Sequence, residues 1–480
     1  MNKSIWIDTS DSVICKSLNK DLELDVLIIG GGITGINCLY QLRNSNLNVA
    51  LLEANRVGSG ITSRTTGKLT YLQGNYYKIY KKLGFEISKK YYESQRDAIN
   101  IAKSIINDNY IECDLVENDS FLFTNNISKI DDLKKEKKLL EEFGCCDIFN
   151  CERLPDGQSF LYGFKGSGSY VYHPLKYLYG LKKILKKNIY ENSRVISIEK
   201  EDNYYLCKTN DAVIRTKYVV LAVHYPSFLF PFMMPLKVTL EKSYVSALRT
   251  RNYNFNALGD KNNTCISIRY HKEGDINYKI NLYGSRNIAF DTNDKKHFDR
   301  LKDYIGNYNY LWSNIDVVTG DYLPYIGLIK ENMFLATGYN TWGMTNGILA
   351  GKIIKNLILN KKDKYSELFN PRRISGGCFF KAMLSSGKSY LEEVFYSNKG
   401  WYDKNISFEK KGNDDVAVYI DEVGCEHVVY NKCPHMKCGL IFNEVEKTWD
   451  CPCHGSRFNI DGHVIDGPSN MDISYKEKDS

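Results

Sequence analysis

The sequence predicts an α/β, Rossmann-like domain interleaved with an antiparallel-sheet (α+β) substrate domain, followed by a small all-β domain at the C-terminus. Three observations predict it. Near the start of the chain a buried-strand pattern runs into a glycine cluster and then a helical pattern. Residues 236–290 are strand-rich, with aromatic and β-branched residues between polar turns. From about residue 400 the texture changes to short strands punctuated by Gly, Pro, Cys and His. A length of 480 residues suits two or three domains, and 43% hydrophobic with 25% charged residues is ordinary for a globular chain.

Residues 24–29 (LDVLII) form a short apolar run, the mark of a strand buried on both faces. Gly30-Gly31-Gly32-Ile33-Thr34-Gly35 fits G-x-G-x-x-G directly behind it, and a helical pattern runs from Ile33 to about Asn44. Gly30 permits the tight turn, Gly32 lets the backbone approach a pyrophosphate, and Gly35 lets helix pack closely on sheet. The helix N-terminus offers free N–H groups and partial positive charge to the phosphates. NVALLE (48–53) reads as the next strand and ends in Glu53, an acid placed to bond ribose hydroxyls and repel a 2′-phosphate.

Helical spacing marks 85–107 and 129–143, and His173-Pro174 opens a further helix. RVISIEK, YYLCKT and AVIRT alternate like a meander. KYVVLAVHYP (217–226) begins with a second buried strand, MFLATGY (333–339) is a third, and a glycine-containing helix runs from about Gly343 to Leu359. Pro371-Arg372-Arg373 marks a boundary, and 376–398 is expected to be partly helical and to strap back onto the first domain. The expected division is an N-terminal extension at 1–23, a main unit at 24–370, a connecting segment at 371–402 and a C-terminal domain at 403–480. Within the second unit, cofactor-binding parts are expected at about 24–80, 165–225 and 323–370, and substrate parts at about 81–164 and 226–322.

A net charge of +7 is mild, and lysine runs such as 134–138 lack the aromatic interleaving that stacks bases, so no nucleic-acid partner is expected. No apolar run reaches the ~20 residues of a membrane span, and the start lacks a secretory layout, so a cytoplasmic protein is expected. Five of the 14 cysteines (Cys425, Cys433, Cys438, Cys451 and Cys453) crowd into the last 60 residues, the first sign of a metal site. Cys433-Pro434-His435 and Cys451-Pro452-Cys453-His454 supply C-x-H and C-x-x-H: two thiolates and two imidazoles. That is the donor set of a Rieske [2Fe–2S] cluster. A zinc ribbon also uses Cys and His at similar gaps. His427 and His463 read as ordinary surface histidines, and no helical His pair supplies the separate mononuclear iron site of an oxygenase.

Four segments carry a resemblance to a known family: VLIIGGGITGINCLYQL; LLEANRVGSGITSRTTGKLT; VVLAVHYP; and DYLPYIG with LATGYNTWGMTNGILAGKII. Residues 24–370 resemble the D-amino-acid oxidase/glycine oxidase/sarcosine oxidase family of FAD-dependent oxidoreductases. The resemblance implies that FAD sits in the Rossmann-like domain. It implies contacts from Ala54, Gly60, Thr62, Arg64, Thr65, Thr66, Gly67 and Lys68, beside the Gly motif and Glu53. It also implies Val195 and Ala222 near the adenosine, and Gly338, Gly343, Met344 and Thr345 near the flavin ring. Where some members attach flavin through histidine, this chain has Arg64; where others use cysteine, WSNIDVVTG has none, so FAD is expected to be non-covalent. CPHMKCG, CPCHGSRF and GHVIDGP closely resemble the Rieske family, which implies ligands Cys433, His435, Cys451 and His454, a disulfide between Cys438 and Cys453, and a proline loop at Gly467-Pro468.

A flavin takes two electrons and releases them singly, whereas a [2Fe–2S] cluster carries one. The resemblance implies oxidation of a small amine or amino acid, and the pairing of the two cofactors implies that electrons leave through the cluster to a one-electron acceptor protein or carrier. The alternative is an electron-transfer or redox-sensing module with no small organic substrate. Lys68, His224 and Trp342 are weak catalytic candidates, and Tyr325, Tyr339 and Trp342 are candidates for lining the pocket. No catalytic base is assigned.

Overall fold

The structure, a computed structural model, describes residues 3–225, 237–261, 263–288, 291–373 and 405–476. The strap expected at 376–398 lies outside the described residues.

The first sheet has eight strands around Leu22–Ile29, which runs parallel to Val49–Leu52 on one side and Val213–Leu221 on the other. Met333–Thr337 extends it in parallel, Ile189–Tyr190 closes the far edge, and Tyr325–Lys330 adds an antiparallel strand. Val26, Leu27 and Ile28 are fully buried, as a central parallel strand covered on both faces requires. Helices Ile33–Leu42 and Gly343–Ile358 pack against each other. A Cβ on Gly351 would come within 2.7 Å of the Asn37 backbone, so glycine sets how closely they approach.

The second sheet has nine strands. Val238–Arg249 lies antiparallel between Ile276–Asn287 and the edge strand Tyr310–Thr319. The long strand Ser159–Val171 belongs wholly to this sheet, pairing with Val116–Thr124 and Lys68–Leu69. The division expected near residue 165 therefore falls inside a strand; the chain crosses between sheets at the turn before the helix Pro174–Leu185.

The C-terminal domain stacks a three-stranded sheet (Ile406–Lys411, Asp414–Ile420, Glu426–Tyr430) and a four-stranded one (Ile441–Asn443, Thr448–Asp450, Arg457–Phe458, Val464–Asp466) around Trp449, Phe442 and Phe458. It docks on the edge strand Tyr310–Thr319 and its neighbour through buried charges. Lys242 Nζ reaches Asp294 at 2.6 Å and Asp450 at 2.8 Å, Arg457 reaches Glu446 at 2.9 Å, and Glu446 accepts from Ser313 N at 3.1 Å.

The N-terminal extension is tied down as well. Its short helix Ile5–Asp8 buries Ile5 and Trp6, and Trp6 Nε1 donates to Thr65 O at 2.7 Å. Further along, Glu191 accepts from Cys15 N and Val57 N and pairs with buried Lys182.

Candidate functional site

The strand Leu22–Ile29 ends at Gly30, whose φ of +106° suits glycine and whose Cβ would lie 2.6 Å from Ala222 O. A Cβ on Gly35 would lie 1.8 Å from Gly30 O, so the helix begins pressed onto the turn. Gly32, Gly60 and Gly343 differ: the nearest atoms to a Cβ there lie 3.4, 3.9 and 3.6 Å away. These three present bare backbone to one cleft, a cradle that side chains would fill. Glu53 stands on the same wall, accepting from Gly31 N at 2.7 Å and Asn55 N at 2.8 Å. Burial pushes its carboxyl up, and those two N–H groups pull the other way.

Of the residues singled out by sequence, Gly30, Gly32, Ile33, Thr34, Glu53, Ala54, Gly60, Thr62, Thr65, Val195, Ala222, Gly338, Gly343 and Met344 line this cleft together, as do His224 and Tyr339. Others stand behind its wall. The Arg64 guanidinium pairs with Asp466 of the C-terminal domain. Thr66 O and Gly67 O accept from Arg269. Lys68 Nζ donates to Ala257 O at 2.6 Å, and its burial lowers it to about 7. Thr345 Oγ1 donates to Gln95, Trp342 caps the helix Gly343–Ile358, and Tyr325 lies under Arg373. Sequence reasoning missed Arg194, Tyr225, Asn314 and Asp316 on the cleft wall, and it singled out Gly467-Pro468 without foreseeing that the loop 465–470 closes one side. Asn314 and Asp316 alternate with apolar residues, which reads as the wet face of an edge strand. The loop comes from a different domain.

The second site lies in the C-terminal domain. Cys433 and Cys451 are buried and their thiols are hydrogen-bonded. That bond, the backbone N–H groups of His435 and Met436 and the Ser456 hydroxyl bring Cys433 down to about 7, while Cys451 is pushed well up by the same bond and by burial. The rings of His435 and His454 lie 5.0 Å apart. Burial lowers both imidazoles, His454 to about 4, so both are neutral at pH 7. His454 Nδ1 is buried with no hydrogen-bond partner. An orphaned nitrogen beside paired thiols fits a cluster held by two Cys and two His. Cys438 and Cys453 form a disulfide, and its sulfurs lie within 4.8 Å of Cys451 Sγ. Gly467–Pro468 is a cis peptide. His427 and His463 pair instead with Asp461 and Asp472.

The two sites adjoin. Tyr225 lines the cleft and its ring lies 5.7 Å from that of His454. Leu240, Ile288 and Ile315 of the oxidoreductase unit crowd Gly455, each 3.4 Å from where a Cβ would stand.

A nucleotide cradle on a Rossmann-like sheet beside a Cys/His cluster site defines a flavin and iron–sulfur oxidoreductase. The chain belongs to the FAD dependent oxidoreductase family, which matches residues 25–357, and carries a Rieske [2Fe-2S] domain matching residues 399–475. FAD and a [2Fe–2S] cluster are thus its cofactors. It is 29% identical to YhfW of Bacillus subtilis (strain 168), whose name describes a Rieske 2Fe-2S iron-sulfur protein, over 97% of this chain and 96% of that one. It is 24% identical to gamma-glutamylputrescine oxidoreductase of Escherichia coli (strain K12), over 74% of this chain and 88% of that one. The structure of L-proline dehydrogenase from P. horikoshii superposes with a TM-score of 0.62 at 16% identity, covering 74% of this chain and 98% of that one. Among the described residues, no helix is long and apolar enough to cross a membrane.

Proposed function

We propose that this chain oxidises a small amine or amino-acid-like compound at non-covalently held FAD and passes the electrons one at a time through the cluster to an external one-electron acceptor. The observation that carries this reading is the shared wall: Tyr225 lines the cleft with its ring 5.7 Å from that of His454, and the loop 465–470 closes the same cleft. FAD supplies two-electron acceptance with stepwise release, and neutral His ligands raise a Rieske potential to roughly −150 to +300 mV, which favours flow toward the cluster.

The residues divide the labour. The turn at Gly30–Gly35 and the N-terminus of the helix Ile33–Leu42 would hold the pyrophosphate, and Glu53 would take the ribose. The N-terminus of the helix Gly343–Ile358 carries oriented N–H groups that would stabilise negative charge on a bound flavin. Arg64 braces the C-terminal domain through Asp466 and leaves the flavin unattached. Gamma-glutamylputrescine oxidoreductase and L-proline dehydrogenase, by their names, act on an amine derivative and an amino acid, which supports a substrate of this kind.

Anaerobic mixing with a panel of amines and amino acids tests the reading. Flavin bleaching by one compound, followed by the EPR signal of reduced cluster, is expected. Bleaching only by a protein or nicotinamide donor would instead establish an electron-transfer module. Midpoint potentials test the direction, and a cluster well below the flavin would reverse it.

A further inference from the structure

Five carbonyls in a row, from Ser63 to Gly67, are each held by a side chain from elsewhere in the fold. Ser63 O accepts from Ser4 Oγ, Arg64 O from Trp312 Nε1 at 2.8 Å and Thr65 O from Trp6 Nε1 at 2.7 Å. Thr66 O and Gly67 O both accept from Arg269 Nη1, at 3.0 and 2.9 Å. The four donor residues are 2% exposed or less, and none of them lines the cleft. Thr62 and Thr65 do line it. Across one planar peptide C=O and N–H point opposite ways, so the N–H groups of Thr65 and Thr66 turn away from Trp312 and Trp6.

Two of the donors come from the N-terminal extension, and Trp6 joins them to the rest. Its ring lies 4.9 Å from that of His173, 5.0 Å from that of His271 and 4.9 Å from the Arg269 guanidinium carbon. Arg269 Nη1 also reaches Tyr172 O at 2.9 Å. Among the described residues every hydrogen bond from Arg269 goes to a carbonyl oxygen and none to a carboxylate. Asp114 and Glu273, grouped with His271, pair with Lys176 instead, at 2.8 and 2.9 Å. Burial brings Arg269 down to about 9, so it is still a cation at pH 7. A buried cation without a carboxylate is costly, and negative charge placed near it offsets part of that cost. The two carbonyls it holds follow directly on Thr65, at the wall of the cleft.

We propose that Trp6 and Arg269 are positioning residues for the flavin. Trp6 fixes the strip Ser63–Gly67 from behind. Arg269 sets a positive charge behind the strip that favours the reduced, anionic ring over the oxidised, neutral one. The proposal rests on FAD in this cleft and is independent of which compound is oxidised.

Sulfite reports on such a charge without turnover. Its sulfur lone pair bonds to flavin N5, the ring takes up the negative charge, and the visible band bleaches. In holoenzyme saturated with FAD, Arg269→Met should bind sulfite about tenfold more weakly, the scale of one nearby unit charge at an effective dielectric of ~20. Arg269→Lys should keep most of the affinity. Trp6→Phe keeps a ring in the cage and removes only the N–H to Thr65 O. Its FAD dissociation constant should rise about two- to tenfold, the worth of one hydrogen bond, with the cluster EPR spectrum unchanged. Unfolding midpoints are measured alongside. Lower stability in Arg269→Met and Trp6→Phe, with sulfite and FAD binding unchanged, would make both residues supports of the fold alone and overturn the proposal. Should Arg269→Met fail to fold, Trp6→Phe decides, and unaltered FAD binding there overturns it. Protein that takes up no FAD removes the cofactor and the proposal together. The expected sulfite and FAD results in a protein that oxidises no amine would uphold the proposal while the amine reading fails.

Discussion

At the scale of single residues, Lys68 shows why chemistry-bearing residue types mislead. It sits in a flavin motif, yet it is 4% exposed and bonds a backbone carbonyl. Its folded-state value of about 7 lies below the ~10.4 of an unfolded chain. Between the two, the unfolded state holds a proton that the folded state has lost, so this group makes stability rise with pH. Below about pH 7 both states are protonated and the burial penalty acts in full. Lys68→Met should therefore gain on the native protein by on the order of 3 kcal/mol between pH 10 and pH 6. Urea midpoints across that range check it, and a constant gap refutes it. The glycine turn and the Cys/His pairs at 433–435 and 451–454 were legible because their spacing marks them. Asn314 and Asp316 were not, because only the folded sheet turns that face toward the cleft.

At the scale of elements, the parallel strands were legible from their unbroken apolar runs, and the helices from their periodicity. What joins the domains was not. Lys242 and Asp294 lie far in sequence from Glu446, Asp450 and Arg457, yet the five meet in one buried network. Burial would raise the three carboxyls, but the cations outweigh it and hold them below the usual range. A depressed folded value means stabilisation above the unfolded pKa of ~4, lost as pH falls through the folded value. Lys242→Met leaves two carboxylates short of a partner and should cost about 3–5 kcal/mol. Hydrogen exchange should show Ile441–Asp450 losing protection first, ahead of the sheet around Leu22–Ile29. Uniform loss across both domains would mean that the network supports the fold and not the docking.

At the scale of the whole molecule, both cofactor sites were readable separately, but their adjacency was not, because it depends on a loop of one domain completing a cleft in the other. That loop also reaches the cluster. Ser469 N donates to Ser456 Oγ at 2.9 Å, which frees the Ser456 proton for Cys433 Sγ. A donor to a ligand sulfur stabilises the more negative, reduced cluster more than the oxidised one. A hydrogen bond to a charged group is worth about 1.5–3 kcal/mol, so Ser456→Ala should lower the cluster potential by about 60–130 mV. The flavin should keep its own potential. One electron shared between the sites should then move toward the flavin by about ten- to a hundredfold. EPR-monitored titration reads the cluster, and visible absorbance at the same reduction level reads the flavin. A drop in the cluster signal matched by added reduced flavin would mean that the loop sets the direction of flow. An unshifted potential would mean that Ser456 serves only to anchor Ser469.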